Sequence, residues 1–143
     1  MKRALADGYE LDDDPGRIDI DAVHAYISRE SYWGQGRPRA AVERAVRKSD
    51  RVVGLYKDGA QVGFSRALTD EGANVSYLAD VYVLAEHRGH GLGLELVREM
   101  VDNGPLADAV SLGLSERALR DALRVVTASY EYHGGFRLRT LSA

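Results

Sequence analysis

A chain of 143 residues, 45% apolar and 29% charged, has the size and composition of one soluble globular domain, which excludes a disordered or fibrous polypeptide. Its formal net charge of −3 argues against an electrostatic footprint for nucleic acid. It has no cysteine, so disulfide frameworks, thiolate metal sites and thiol nucleophiles are excluded as well. The segment from Met1 to Leu5 has no apolar signal core, and no run approaches about 18 apolar residues. The expectation is a cytoplasmic protein with no membrane span.

Gly8-Tyr9-Glu10-Leu11 is predicted as a short strand, ended by Asp12-Asp13-Asp14-Pro15-Gly16. That acidic cluster lacks the later Gly and Glu of a calcium loop and reads as a solvated turn. Asp19 or Asp21 can cap a helix in which Ile20, Val23 and Ile27 repeat on one side, running out between Glu30 and Arg37. Pro38 suits the first turn of a second helix to about Lys48, with Val42, Ala45 and Val46 inward. Strands from Arg51 to Tyr56 and from Gln61 to Leu68 flank Lys57-Asp58-Gly59-Ala60, where Asp-Gly is a strong hairpin signal. Asp70-Glu71-Gly72 makes the next turn. Tyr77 to Leu84 is rich in β-branched, aromatic and aliphatic residues and reads as a buried strand. Asp80 stands out within it, because a buried carboxylate is costly unless partnered. It is either an acceptor for nearby N–H groups or a group that recognises or deprotonates an amine.

Glycines then alternate at 89, 91 and 93, and Leu96, Val97, Met100 and Val101 follow at helical spacing until Asn103-Gly104-Pro105 stops them. Strand, glycine loop and helix together turn free backbone N–H groups toward an anion. Glycine lets a diphosphate approach without a Cβ in the way. The G-x-G-x-G spacing is neither the G-x-G-x-x-G of a dinucleotide fold nor a P-loop. Arg88-Gly89-His90-Gly91-Leu92-Gly93 fits R/Q-x-x-G-x-G/A, and with its flanking strand and helix it resembles the acetyl-CoA signature of the GNAT acyltransferase family.

The resemblance implies a single-domain α/β (α+β) fold over residues 1–143. A mixed, mostly antiparallel sheet would be flanked by helices in the order β-α-α-β-β-β-α, followed by a divergent β-α tail. It covers about residues 8 to 104 well. From Pro105 onward, Ala109 to Leu114 is a strand candidate, and Ser115 opens a helix with Leu119, Leu123 and Val126 on one side. Family members often place a tyrosine five positions before a Gly-Phe phenylalanine. Glu131 stands there relative to Phe136, with Tyr130 and Tyr132 on either side.

By the same resemblance, the backbone of Val81, Tyr82 and Val83 holds the pantetheine arm and acetyl carbonyl of acetyl-CoA. Arg88, Gly89, His90, Gly91, Leu92 and Gly93 hold its pyrophosphate. Tyr130, in competition with Tyr132 and His133, donates the proton to the departing thiolate, and Asp80 is the candidate base. Tyr32 and Trp33, with Glu30, either line the acceptor pocket or plug the core. His87 and His90 lack a third ligand, so no metal is expected. The implied activity is direct acetyl transfer to a primary amine of a small molecule, with neither nucleic acid nor membrane as partner and a homodimer left open. A non-catalytic acyl-CoA-binding domain that has lost its acid is the alternative, and a binding module for another phosphorylated ligand is the third reading.

Overall fold

The computed structural model describes residues 1–70 and 75–102. The predicted turn at Glu71-Gly72, the stop at Asn103-Gly104-Pro105, the tail elements, and Tyr130, Tyr132 and His133 lie outside the described residues. Among the described residues, five strands, β1 (Lys2–Ala4), β2 (Tyr9–Asp12), β3 (Arg51–Lys57), β4 (Ala60–Asp70) and β5 (Val75–Val83), form one sheet in the order β1-β2-β3-β4-β5. Every neighbouring pair is antiparallel. The α-helices among these residues, α1 (Ile20–Ala25), α2 (Arg39–Arg47) and α3 (Leu92–Asp102), cover the faces.

Local chemistry accounts for most of these boundaries. Asp19 accepts the Ala22 N–H at 3.0 Å and so caps α1. Asp58 and Gly59 take φ of 50° and 83°, the paired left-handed conformation of a tight hairpin, and join β3 to β4. The sheet separates two apolar clusters. On one face Leu11, Val53, Leu55, Val81 and Val83 pack with Leu92, Leu96 and Met100 of α3. On the other, Val52, Phe64 and Tyr82 pack with Val23, Tyr26, Ile27, Val42 and Val46 of the α1–α2 side. Phe64, Leu11, Leu55 and Leu96 are fully buried, each contributing about 1.5–3 kcal/mol by leaving water.

Three local expectations are corrected. Strand β1 was absent from the predicted order, and the observed one begins with two strands; its three residues carry no periodic pattern and are held by pairing with β2. Pro38 is the cap residue before α2, with extended backbone at ψ 145°, rather than a residue inside its first turn. Nor is the acidic turn merely solvated. Asp12 is buried, accepting from the Asp14 N–H at 3.0 Å and from Arg17 at 2.8 Å.

A buried ionic network that no sequence pattern announced fastens α3 to the sheet. Glu99, only 3% exposed, accepts from Arg3 of β1 at 3.0 Å and from Arg51 of β3 at 3.2 Å. The helix whose N-terminus forms part of the candidate site is thereby tied to two separate strands.

Candidate active site

Strand β5 carries the site, and its hydrogen-bond parity decides which groups it presents. The Leu84 N–H donates to the Val62 carbonyl at 2.9 Å, and the register pairs Tyr82 with Phe64 and Asp80 with Arg66. Antiparallel alternation then turns the backbone of Tyr82 toward β4 and that of Val81 and Val83 to the side of β5 away from β4. The register jumps between Arg66 and Ala67, leaving Ala79 as an extra, bulged residue immediately before Asp80. Of the three residues named for backbone contacts, Val81 and Val83 face outward. Tyr82 is committed to the ladder.

Beyond β5 the chain makes a short turn, Ala85–His87, and enters the glycine loop. Gly89 and Gly91 take φ of 87° and 73°, conformations that any side chain would strain. Among the described residues, a Cβ at Gly89, Gly91 or Gly93 would meet nothing within 4 Å, so these leave the space over the loop open. The first backbone bond of α3 runs from Glu95 N–H to Gly91 carbonyl at 3.2 Å. The N–H groups of Leu92, Gly93 and Leu94 precede it and have no intrahelical acceptor. The loop therefore offers an open cradle with convergent donors and the positive end of an 11-residue helix, a fit for a diphosphate.

Arg88, at the head of the loop, folds its guanidinium back onto the protein. Its Nε donates to the outward carbonyl of Val83 at 2.9 Å and its Nη2 to the Tyr26 hydroxyl at 3.0 Å. The loop's other support comes from β2: the Tyr9 hydroxyl and His87 Nδ1 share a 2.9 Å hydrogen bond, and the His90 ring lies 6.1 Å from that of Tyr9. His90 itself is exposed. Lys57 stands over the Tyr9 ring at 4.9 Å, adding positive charge on that side.

On the helical face, Trp33 and Asp80 meet. The Trp33 indole N–H donates to Asp80 Oδ1 at 2.8 Å, while Arg66 forms an ion pair with Asp80 Oδ2. Asp80 is 3% exposed, and both of its oxygens are engaged by donors. Tyr32 is 56% exposed and stands edge-on to Trp33, with 5.1 Å between ring centres. Glu30 is exposed at the end of the turn that continues α1. Gly34 follows Trp33 because a Cβ there would overlap the Ile27 side chain.

Tyr26 and Tyr82 stack with ring centres 3.9 Å apart and planes at 8°. Burial raises the pKa of each, Tyr82 strongly, and in Tyr26 this outweighs the opposing charge of Arg88. Both hydroxyls accordingly keep their protons at neutral pH. Tyr9, Tyr26 and Arg66 were not singled out from the sequence. The only signal for Arg66 was the pairing of strands that sets it opposite Asp80. No cluster of three or more His, Asp or Glu that could hold a metal occurs among the described residues. Nor is any helix among them long and apolar enough to cross a membrane.

The model of the acetyltransferase (GNAT) family matches residues 20–124. A Gibberella zeae protein assigned to the acetyltransferases is 32% identical over 68% of this chain and 66% of its own length, so the chain spans about two thirds of that relative. A solved structure of a GNAT-family protein from Xanthomonas campestris pv. campestris is 33% identical, with a TM-score of 0.62 over 68% of each chain. N-acetylglutamate synthase from Neisseria gonorrhoeae, solved with coenzyme A and N-acetyl-glutamate, is 21% identical with a TM-score of 0.55, covering 80% of this chain and 24% of that one. At that identity it speaks for the fold alone. The family model spans well over half of the residues, the fold has the same antiparallel sheet and covering helices, and the chain belongs to the GNAT family of acetyltransferases.

Proposed function

We propose that this protein is an acetyl-CoA-dependent N-acetyltransferase that moves an acetyl group to a primary amine of a small molecule by direct transfer. The observation that carries this reading is the open glycine cradle between the outward-facing end of β5 and the first turn of α3. Leu92, Gly93 and Leu94 donate backbone N–H groups to the diphosphate, and Gly89 and Gly91 clear its approach. Val83 offers the side of β5 along which the pantetheine arm is held, next to Val81, and its N–H, pointing away from β4, stabilises charge on the thioester oxygen as it develops. Tyr82 supports this side from within the sheet. Trp33 and Tyr32, with Glu30 nearby, wall the acceptor side, and Asp80 holds Trp33 in place.

In the transfer itself the amine nitrogen bonds to the acetyl carbon and the carbon–sulfur bond breaks. The amine's surplus proton goes to solvent or a base, and Tyr130 supplies a proton to the departing sulfur. No covalent nucleophile is required of the protein. Calorimetric titration with CoA, then release of free thiol from acetyl-CoA with a panel of small amines, tests the proposal. Binding with amine-dependent turnover is the expected result; absence of CoA binding overturns it. The second reading, an acyl-CoA-binding domain without catalysis, is favoured by one observation, Glu131 at the position where the family's tyrosine is expected. Binding without turnover across the panel would move the assignment there.

A further inference from the structure

The Arg88 guanidinium touches both halves of the site. One nitrogen is on the Val83 carbonyl, on the side of β5 assigned to the pantetheine arm, and another is on the Tyr26 hydroxyl, at the end of α1. Tyr26 is 7% exposed, stacks on Tyr82, and lies 6.4 Å from the Trp33 ring, which is itself bonded to Asp80. A continuous set of packed and hydrogen-bonded groups thus runs from the head of the diphosphate loop to the acceptor wall. We propose that Tyr26 is a positioning residue that couples occupation of the CoA site to the placement of Trp33, with Arg88 as the link.

The physical basis is competition for shared partners. A diphosphate in the cradle attracts the guanidinium, and an amide of the arm donates to the same Val83 carbonyl that Arg88 uses. Either interaction changes the terms on which Arg88 bonds to Tyr26. Tyr26 is buried and its hydroxyl keeps its proton, so a change in the Arg88 guanidinium bonded to it is felt by the ring and by the aromatic groups packed on it. Any such coupling is reciprocal: a ligand against Trp33 must alter CoA affinity by the same factor.

The inference rests on the acetyl-CoA reading above, and the chain contains its own reporter. Trp33 is the one tryptophan among the 143 residues. CoA is titrated into the full chain with emission and calorimetry recorded on the same samples. The parent is expected to show heat of binding together with a change in Trp33 emission. Tyr26→Phe keeps the stacked ring and deletes only the hydroxyl; it is expected to bind CoA while losing the emission change. Arg88→Lys, which keeps the charge and removes the fork, is expected to lose it too, and serves if the first variant folds poorly. Heat without an emission change in the parent, or an undiminished change in Tyr26→Phe, overturns the coupling while leaving the CoA reading intact. No heat in the parent removes both.

Discussion

Trp33 Nε1 donates to Asp80 Oδ1 at 2.8 Å and so ties the connection between α1 and α2 to the middle of β5. The contact bears directly on what Asp80 is for. Its other oxygen is paired with Arg66, so a proton taken by this carboxylate would break an ion pair that is largely shielded from water. Removing one partner of such a pair leaves an uncompensated charge. Asp80→Asn is therefore expected to destabilise the fold by about 3 kcal/mol, a fall in Tm of roughly 10 °C for a chain of this size. Thermal unfolding measured beside turnover decides the matter. Loss of turnover with Tm unchanged would instead make Asp80 an amine-directed base.

Gly91 gives the sharpest test of the cradle. Its φ of 73° disfavours any side chain by about 1–2 kcal/mol, yet among the described residues a Cβ there meets nothing within 4 Å. The cost to the fold is confined to the loop, whereas the methyl groups of valine would stand in the space assigned to the diphosphate. Gly91→Val is expected to lower CoA affinity more than tenfold, about 1.4 kcal/mol or more, and Gly91→Ala to lower it less. Calorimetry with CoA measures both; parent-like affinity in the valine variant would remove the phosphate role from this loop.

How much of this was legible in the sequence depended on how local each cause was. Asp19 as a cap, Asp58-Gly59 as a turn and the alternating glycines act within a few residues of themselves, and their patterns could be read directly. Arg66 opposite Asp80, Glu99 between Arg3 and Arg51, and Tyr9 beside His87 are products of strand order and register. No single segment contains that information. Arg88 is an intermediate case. Its place in the loop motif was plain, but that its guanidinium folds back to Val83 and Tyr26 depends on where α1 ends relative to β5. For the same reason nothing in the sequence singled out Tyr26.

Acid sensitivity is expected to come partly from Asp12. Burial alone would raise its pKa, but the Arg17 guanidinium and the Asp14 N–H outweigh that and hold the carboxyl below its ordinary value. A depressed pKa means that the folded state binds the proton less tightly than the unfolded chain. The resulting stability is complete above the unfolded value, about 3.9, and is lost as pH falls through the folded one. Asp12→Asn should lower Tm at neutral pH and flatten its decline between about pH 5 and pH 2. Melting curves across that range check it; an equally steep decline in the variant would assign the acid limb to other carboxylates.

In the proposed transfer, the proton donor to the departing thiolate is the part for which the sequence departs most from the family pattern. Counting back from Phe136, Glu131 stands where the resemblance expects a tyrosine, and Tyr130 and Tyr132 flank it, all outside the described residues. Two residues apart on a helix, those tyrosines would point about 200° away from each other, so only one could face the sulfur. A useful donor must come within about 3–3.5 Å of that atom. Tyr130 is the preferred candidate because it leaves the longer approach to Gly134 and Gly135. Tyr130→Phe is expected to slow thiol release by about a hundredfold, the lower end of what a positioned acid contributes, with CoA affinity unchanged. Tyr132→Phe is expected to be nearly silent. Steady-state rates with acetyl-CoA and a responsive amine distinguish the two. A Tyr130→Phe rate within about twofold of the parent would mean that this hydroxyl does not supply the proton, and a strong effect of Tyr132→Phe would transfer the role across Glu131.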